Sequence, residues 1–472
     1  MSFFSQSRPG FPPGRKGLPL VGVIPWVGGG PAQKIFEWSK EYGPIMSVRM
    51  GSQDWVVLND YDSMHQGFVE QPTKFSGRPL IPLLNQYNKS LGLGSVDYGD
   101  SFKAYRSFGE KILRGSGIGA KTIEDRVMKE TEHLVEVIRA QEGKAFVLLF
   151  LLDKAVANCI WSLQFGARSD YEDPSFNRMF SALTKRDDSN FAGTAIGLMG
   201  LLPCLMSFPF FSSVNEEFLE YYKHLLGVFT DIIAEHKKTF DKSNIRGFVD
   251  AYFVEQEKGT KHFTEEELIQ YSLELFKAGT QTAAGMLGWG LLCMIHYPET
   301  QTKLREEINQ AIGRSAPVSM SCKSSMPYTN AFIQELMRYR TMVPFTVPHK
   351  TSEDAELGGF NIPKGVTVMG NIWAVHNDPN VWEEPNKFKP ERFINKNGDF
   401  VQSNRVIPFG LGPRDCLGYQ VAQSAIFIML VAMVRRFEFF PDPEATELPP
   451  NDAGAKGNFY IPSPFNLVAK EI

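Results

Sequence analysis

Apolar residues interleave with charged ones at helical spacing from about Thr122 to Gly143 and again from Glu216 to Lys258, which predicts amphipathic helices over both spans. Phe263-Thr-Glu-Glu-Glu-Leu268 offers Thr264 as an N-cap, with Glu267 three residues on. The mostly apolar run behind it continues to about His296 and stops ahead of Pro298, so one long helix is expected there. Tyr328 to Tyr339 reads as another helix, and Val421 to Val434 as a buried helix too short to span a bilayer. Met46-Ser-Val-Arg-Met50 and Trp55-Val-Val-Leu-Asn59, separated by Gly51-Ser-Gln-Asp54, predict strand, turn, strand. After Pro344, short strand-like pieces alternate with Pro and Gly turns. No repeat or low-complexity linker divides the chain. The pattern predicts a single large α+β domain, predominantly helical with a minor β-sheet, over residues 23–472, behind a proline-rich segment over residues 1–22.

One stretch breaks the amphipathic pattern. Asn190 to Asn215 carries no formal charge and is long enough to cross a membrane, but Pro203, Pro209 and its glycines argue against a straight spanning helix. It reads either as buried core or as a greasy lid that dips into a bilayer and admits lipophilic molecules. The chain opens Met-Ser-Phe-Phe-Ser-Gln-Ser-Arg8, too short and polar for a signal peptide or an anchor. It passes at once into the basic, semi-rigid Arg8 to Gly22 segment.

Composition narrows the picture a little. The 472 residues are 43% hydrophobic and carry a formal net charge of −4, which supports a sizeable core and gives no nucleic-acid footprint. Cys159, Cys204, Cys293, Cys322 and Cys416 form no CxxC pair and no regular framework. That excludes a disulfide scaffold and suits a reducing compartment.

The candidate chemistry centres on Phe409-Gly-Leu-Gly-Pro-Arg-Asp-Cys-Leu-Gly418. A lone cysteine sits in a glycine-rich loop that runs into the last buried helix. Gly412 and Gly418 let backbone approach something flat and bulky, and helix N-terminal amides beyond Cys416 are expected to lower its pKa. The bland alternative is a buried structural cysteine. The second constellation is Phe276-Lys-Ala-Gly-Thr-Gln-Thr282 inside the long helix. Gly279 is costly there, so it is expected to make room for a flat group and a small ligand, with Thr282 free to hydrogen-bond that ligand or a water. The alternative is a packing glycine beside an ordinary threonine. The third is Glu335-Leu-Met-Arg338, whose spacing puts both charges on one helix face.

Phe409, Gly412, Arg414, Cys416 and Gly418 together resemble the haem-binding signature of the cytochromes P450, and Ala278, Gly279 and Thr282 resemble that family's oxygen-activation motif. Lys74-Phe-Ser-Gly-Arg-Pro79 and Met326-Pro-Tyr-Thr-Asn-Ala331 look most similar to its animal microsomal branch. The resemblance implies Cys416 as the thiolate ligand of a haem iron. It implies Arg78, Arg106, His349 and Arg414 as partners for the propionates, and Arg392 as a third member of a buried Glu335–Arg338 network. It also places Ile81, Leu83, Leu84, Leu275, Ala278, Val343, Phe345, Val347 and Phe459 near a substrate pocket. Two positions depart from the family pattern. Gln281 stands where an acid usually precedes the threonine, and Phe102 stands where a tryptophan donates to a propionate.

The function so implied is a monooxygenase inserting one atom of O₂ into a lipophilic small molecule. It takes electrons from an NADPH-dependent flavoprotein reductase, with a cytochrome b-type donor as a second candidate. Lys103, Arg106, Lys111 and Arg114, with Arg435 and Arg436, are candidates for a basic docking face. The implied location is the cytoplasmic face of the endoplasmic reticulum membrane, held by peripheral contact, or the cytoplasm if no anchor exists. Gln281 keeps a peroxide-using or rearranging haem-thiolate enzyme open, and a non-catalytic haem or ligand-binding protein is the alternative of another class.

Overall fold

The computed structural model describes residues 9–113, 120–184, 190–313, 316–445, 447–450 and 459–472. Its larger sheet begins in the proline-rich segment. Strand β1 (Gly14–Arg15) lies parallel to β2 (Ile45–Met50), which turns at Gly51 into the antiparallel β3 (Gln53–Leu58). Gly51 has φ 62°, the left-handed backbone that a tight turn asks of glycine. Late in the chain β4 (His349–Lys350) and β5 (Thr367–Gly370) complete the sheet in the order β1-β2-β3-β5-β4. The register sets Trp55 opposite Thr367 and His349 opposite Val368. The sheet thus ties the first sixty residues to the strand-rich region after Pro344.

The helical part is organised around α4. In chain order its main members are α1 (Asp100–Leu113), α2 (Leu148–Phe165), α3 (Pro209–Lys237), α4 (Glu265–His296), α5 (Pro327–Tyr339) and α6 (Tyr419–Arg436). Thr264 caps α4 as its sequence predicts, its hydroxyl accepting from the Glu267 N–H at 3.2 Å. From Ala283 to Ile295 every residue of α4 is buried, because α2, α5 and α6 pack around that half. Helix α2 is long and apolar enough to cross a membrane, but most of it is buried inside the fold, so its apolarity is that of a core helix.

Two expectations change. The helical span from Glu216 to Lys258 is two helices, α3 and Phe248–Glu257. Between them Asp241 accepts from the backbone N–H and hydroxyl of Ser243, and that local turn competes with helix. In the uncharged stretch, a helix over Asn190–Leu201 gives way to a 3₁₀ turn over Pro203–Ser207, and α3 starts at Pro209. Each proline occupies a first-turn position that needs no N–H donor. Part of this stretch is core and part is surface: Met199 is fully buried, whereas Phe208 is 57% and Phe210 49% exposed.

Candidate functional site

The cysteine loop is held from within. The Cys416 N–H donates to the Phe409 carbonyl at 2.8 Å, and the Phe409 ring meets Tyr419 edge-on at 4.7 Å. Gly412 has φ 78°, and a Cβ there would lie 2.1 Å from the Phe68 carbonyl oxygen. Its close approach is therefore to the neighbouring backbone at Phe68. Gly418 is open except towards the cysteine, with Sγ 4.0 Å from where a Cβ would stand. The Cys416 side chain is exposed, yet protein surrounds it closely enough that burial pushes its pKa up. The two facts together describe a thiol facing an internal opening. The expected lowering by helix amides is corrected: the Gly418 N–H does favour the thiolate, but burial and the neighbouring Asp415 carboxylate outweigh it.

Three of the predicted cationic partners converge beside this loop. Arg414 donates to the carbonyls of Ser76, Leu93 and Val96 at 3.0, 3.0 and 2.7 Å, and its guanidinium lies 3.8 Å from the centroid of the Phe102 ring. Phe102 thus serves as a cation–π platform in place of the absent indole donor. Arg78 donates through Nε to Gly94 at 2.8 Å and through Nη1 to Pro348 at 2.9 Å. Burial and mutual repulsion lower Arg414 to about 9, and burial lowers Arg78 to about 10. His349 stacks on Phe68 at 4.2 Å and bonds the Phe75 carbonyl through Nδ1 at 2.6 Å. A carbonyl only accepts, so Nδ1 carries the hydrogen. Burial and the two arginines hold His349 neutral, which corrects its expected role as a standing cation.

Arg106 behaves differently. Its Nε donates to Glu110 at 2.7 Å, Nη1 to the Asp415 carbonyl at 2.6 Å, and Nη2 pairs with the Asp415 carboxylate. It anchors the residue before Cys416 and is buried, so it is withdrawn from the expected docking face. That face is a cleft of about 440 Å³ lined by Lys103 and Arg106 but also by Glu110 and Asp415. Its charge is mixed. Arg435 is drawn to the Ala316 carbonyl, and Arg114 lies outside the described residues.

Opposite chemistry sits in the middle of α4. Lys277 and Ala278 are exposed, and Glu274, Leu275, Gly279, Gln281 and Thr282 are half-buried, between turns that are fully buried. At positions i, i+3, i+4, i+7 and i+8 these side chains share one face, so that face opens onto interior space. The Thr282 hydroxyl donates to the Ala278 carbonyl at 2.8 Å, leaving its oxygen free to accept. A Cβ on Gly279 would meet Ile160 Cδ1 at 2.8 Å and Cγ1 at 3.0 Å. The packing of α2 on α4 therefore gives the glycine a reason of its own, beside the expected room for a ligand.

Beneath the loop, Glu335 and Arg338 are wholly buried and paired twice, at 2.7 and 2.8 Å. Arg392 Nε adds a contact to Glu335 at 3.1 Å, the Lys389 N–H another at 2.9 Å, and Arg338 Nη1 donates to the carbonyls of His376 and Pro385. The apolar residues expected at a pocket are dispersed. Ile81, Leu84 and Val347 line a small cavity with Arg78 and Pro348. Leu83 is buried with Tyr87 and Met199, while Leu275, Val343 and Phe345 pack against three separate hydrophobic clusters. Phe459 is 48% exposed.

Against known proteins, the family described as Cytochrome P450 matches residues 12–467. The chain belongs to the cytochrome P450 family. It is 34% identical to Cytochrome P450 2U1 of Mus musculus, over 98% of this chain and 91% of that protein. It is 34% identical to Cytochrome P450 2J3 of Rattus norvegicus and 33% identical to Cytochrome P450 2J2 of Homo sapiens, each over 93% of this chain and 88% of the relative. It is accordingly a haem-dependent monooxygenase.

The residues present in this P450 fit haem on physical grounds. Burial first, and the positive charge of neighbouring arginines second, depress both Arg414 and His349. A buried positive cluster of that kind calls for anionic partners such as two carboxylates. A carboxylate beside His349 would also raise its pKa and restore it as a donor. An accessible thiol, once deprotonated, is the kind of soft anionic ligand that suits haem iron. Sequence reasoning missed Asp415, which takes Arg106 for itself, and the pair Glu274 and Lys277. The signal for the latter was a lone lysine in the apolar run Leu275-Phe-Lys-Ala278.

Proposed function

We propose that Cys416 is the thiolate ligand of the haem and that this P450 oxidises a lipophilic small molecule, using electrons from an NADPH-dependent flavoprotein reductase. The observation that carries this reading is the exposed but deeply set thiol of Cys416. Bound haem supplies the iron chemistry that activates dioxygen. The protein's part is to hold and to exclude. A coordinating iron would supply the charge that keeps this thiol deprotonated despite its raised pKa, and Arg106 balances Asp415 next to it. Arg78, Arg414 and His349 receive the propionates. Ala278 leaves one side of α4 low, while Gln281 and the Thr282 oxygen orient water at the site where oxygen is handled. Ile81, Leu84 and Val347 favour an apolar substrate.

An apolar surface supports peripheral membrane contact. Leu18, Leu20 and Trp26 are exposed on one side of the β2–β3 turn, and Phe208 and Phe210 on another. The turn joins them: Gly22 bridges to Met50, and a Cβ on Gly51 would lie 2.5 Å from the Leu201 carbonyl oxygen. Such a patch suits the cytoplasmic face of the endoplasmic reticulum membrane. Lys103 and its cleft are the candidate surface for the reductase or a cytochrome b-type donor.

Two measurements test the reading together. The reduced carbonyl complex should show the red-shifted Soret band of thiolate-ligated haem. Substrate-dependent NADPH oxidation should appear only with added reductase. Gln281 favours one second reading, a peroxide-using or rearranging enzyme, and turnover without reductase would select it.

A further inference from the structure

Resting on that reading, we propose that Lys277, recharged by Glu274, supplies the protons for dioxygen reduction that a carboxyl at position 281 would otherwise supply. The geometry is a stripe. Glu274, Lys277 and Gln281 follow one another at three and four residues along α4, on the face that opens inward, and Thr282 stands beside the last. Among the described residues no carboxylate lies within ion-pair distance of the Lys277 ammonium. It is exposed to the interior opening, yet set deep enough for burial to lower its pKa, with Glu274 the charge that pulls it back up. An ammonium left unpaired in such a place is a donor without an acceptor.

Glu274 is built to refill it. Its carboxyl accepts from the Gly94 N–H at 3.0 Å and from Gln270 at 3.3 Å. A Cβ on Gly92 would stand 2.3 Å from Glu274 Oε1, so the glycine-rich segment 92–94 is shaped around this side chain. Burial raises Glu274 to about 7, helped by Glu267 and opposed by Arg78. The other titratable groups that feel it are Tyr271 on the same helix and Tyr222 from α3.

The proton balance is simple. Hydroxylation takes one C–H substrate, one O₂, two electrons from the reductase and two protons, and yields one alcohol and one water. For each proton, an N–H bond of Lys277 breaks and the proton passes to water oriented by the Gln281 carbonyl oxygen and Thr282 Oγ1. The freed Nζ lone pair takes a proton from the Glu274 carboxyl through a bridging water, and the carboxylate takes one back from solvent. Gln281 cannot donate a proton itself near neutral pH, so its place in the path is to position water.

The test uses the haem-loaded protein and its reductase. In Lys277→Met, product formed per NADPH should fall about tenfold and peroxide rise in step, within the ~100-fold or more that a positioned proton donor contributes to one step. Lys277→Arg should fail as badly, because guanidinium keeps charge but does not release a proton. Lys277→Met combined with Gln281→Glu should recover coupling. Glu274→Gln should remove the dependence of coupling on pH around neutrality. A readout independent of turnover is the C–O stretch of the reduced carbonyl complex, which a nearby cation lowers. It should move to higher frequency in Lys277→Met and stay low in Lys277→Arg. Unchanged coupling in Lys277→Met, full coupling in Lys277→Arg, or a C–O stretch indifferent to Lys277 would each overturn the proposal. A wild-type protein without the thiolate-type Soret band would instead overturn the haem-thiolate reading on which it rests.

Discussion

The floor of the proposed site, the buried Glu335 network, and the open face of α4 are finished to opposite standards. Around Glu335, polar groups meet partners: two arginines, the Lys389 N–H, and the carbonyls of His376 and Pro385 account for the buried charges. Along the inward face of α4, Lys277 has no ion pair among the described residues and Thr282 bonds only its own helix. A satisfied network is rigid, because breaking any member strands a buried charge. The open stripe is available, because the Lys277 ammonium still has hydrogen bonds to give and the Thr282 oxygen one to accept. The first is a fixed point of the fold, and the second keeps polar side chains on an open helix face.

The sharpest test of that contrast lies where the two regions meet. Cys416→Ala removes the thiol of the loop, and the red-shifted Soret band of the reduced carbonyl complex should vanish completely. Cys159, Cys204, Cys293 and Cys322 should each be replaceable without losing it. Survival of the band in Cys416→Ala would end the assignment of the site.

Next in size is the floor. Glu335→Ala leaves Arg338 buried without a carboxylate and removes the carboxylate contact of Arg392, which keeps only backbone carbonyls. Breaking a buried pair from one side costs about 3–5 kcal/mol. Thermal unfolding should show that loss, and haem content should drop with it. Normal haem content and melting temperature would mean that the network is dispensable.

The floor also sets an acid limit. His376 is fully buried, accepts the Ile407 N–H through Nε2 at 2.8 Å, and sits against Thr341 at 2.8 Å. Burial first, and Arg338 second, depress its pKa to about 3. In the unfolded chain it titrates near the ordinary histidine value of about 6.5. Between those values the unfolded state binds a proton that the folded state refuses, so stability falls as pH drops. The slope from this group is about 1.4 kcal/mol per pH unit, starting below about 6.5 and ending near the folded pKa. Denaturant melts from pH 7 down to pH 4 should show this slope, and His376→Gln should flatten it. A wild-type slope equal to that of His376→Gln would show that His376 is not held neutral.

How far the sequence led depends on what kind of fact was sought. Periodicity and caps gave the long helix with its Thr264 start, and the strand pair either side of Gly51, because local pattern governs both. The Glu335–Arg338 spacing gave a pair, but only tertiary packing made it buried and brought Arg392 and the Lys389 N–H to it. Charge placement was the least legible. Arg106 reads as a surface or propionate cation until Asp415, more than three hundred residues away, is seen to take it. Lys277 reads as an oddity in an apolar run until the exposure of one face of α4 shows what it looks onto. Apolar pocket residues fared similarly, since a leucine that lines a cavity and one that fills a core are written alike. Leu84 and Leu83 are neighbours with opposite fates.

The smallest expected effect concerns Gly279, where the two regions could be confused. If the glycine is reserved for a ligand, any side chain there should impair haem uptake, whatever happens to its neighbours. The geometry names a different opponent, the Ile160 side chain of α2, whose Cδ1 and Cγ1 would stand 2.8 and 3.0 Å from a methyl placed at this position. Alanine gains about 1 kcal/mol of helix propensity over glycine, while crowding against Ile160 costs about 1–3 kcal/mol. Gly279→Ala alone should therefore be neutral to mildly destabilising. Ile160→Val removes the nearest atom and by itself costs about 0.5–1.5 kcal/mol. Together the two changes should be better than their sum by about 1 kcal/mol, because the new methyl occupies the space that Cδ1 leaves. Unfolding of the four members of this cycle measures that coupling, and the carbonyl band of each measures haem uptake. Additive energies with haem lost in both proteins that carry Gly279→Ala would return the glycine to the ligand. Positive coupling with haem retained places it in the packing of α2 against α4, beside the open stripe of that helix.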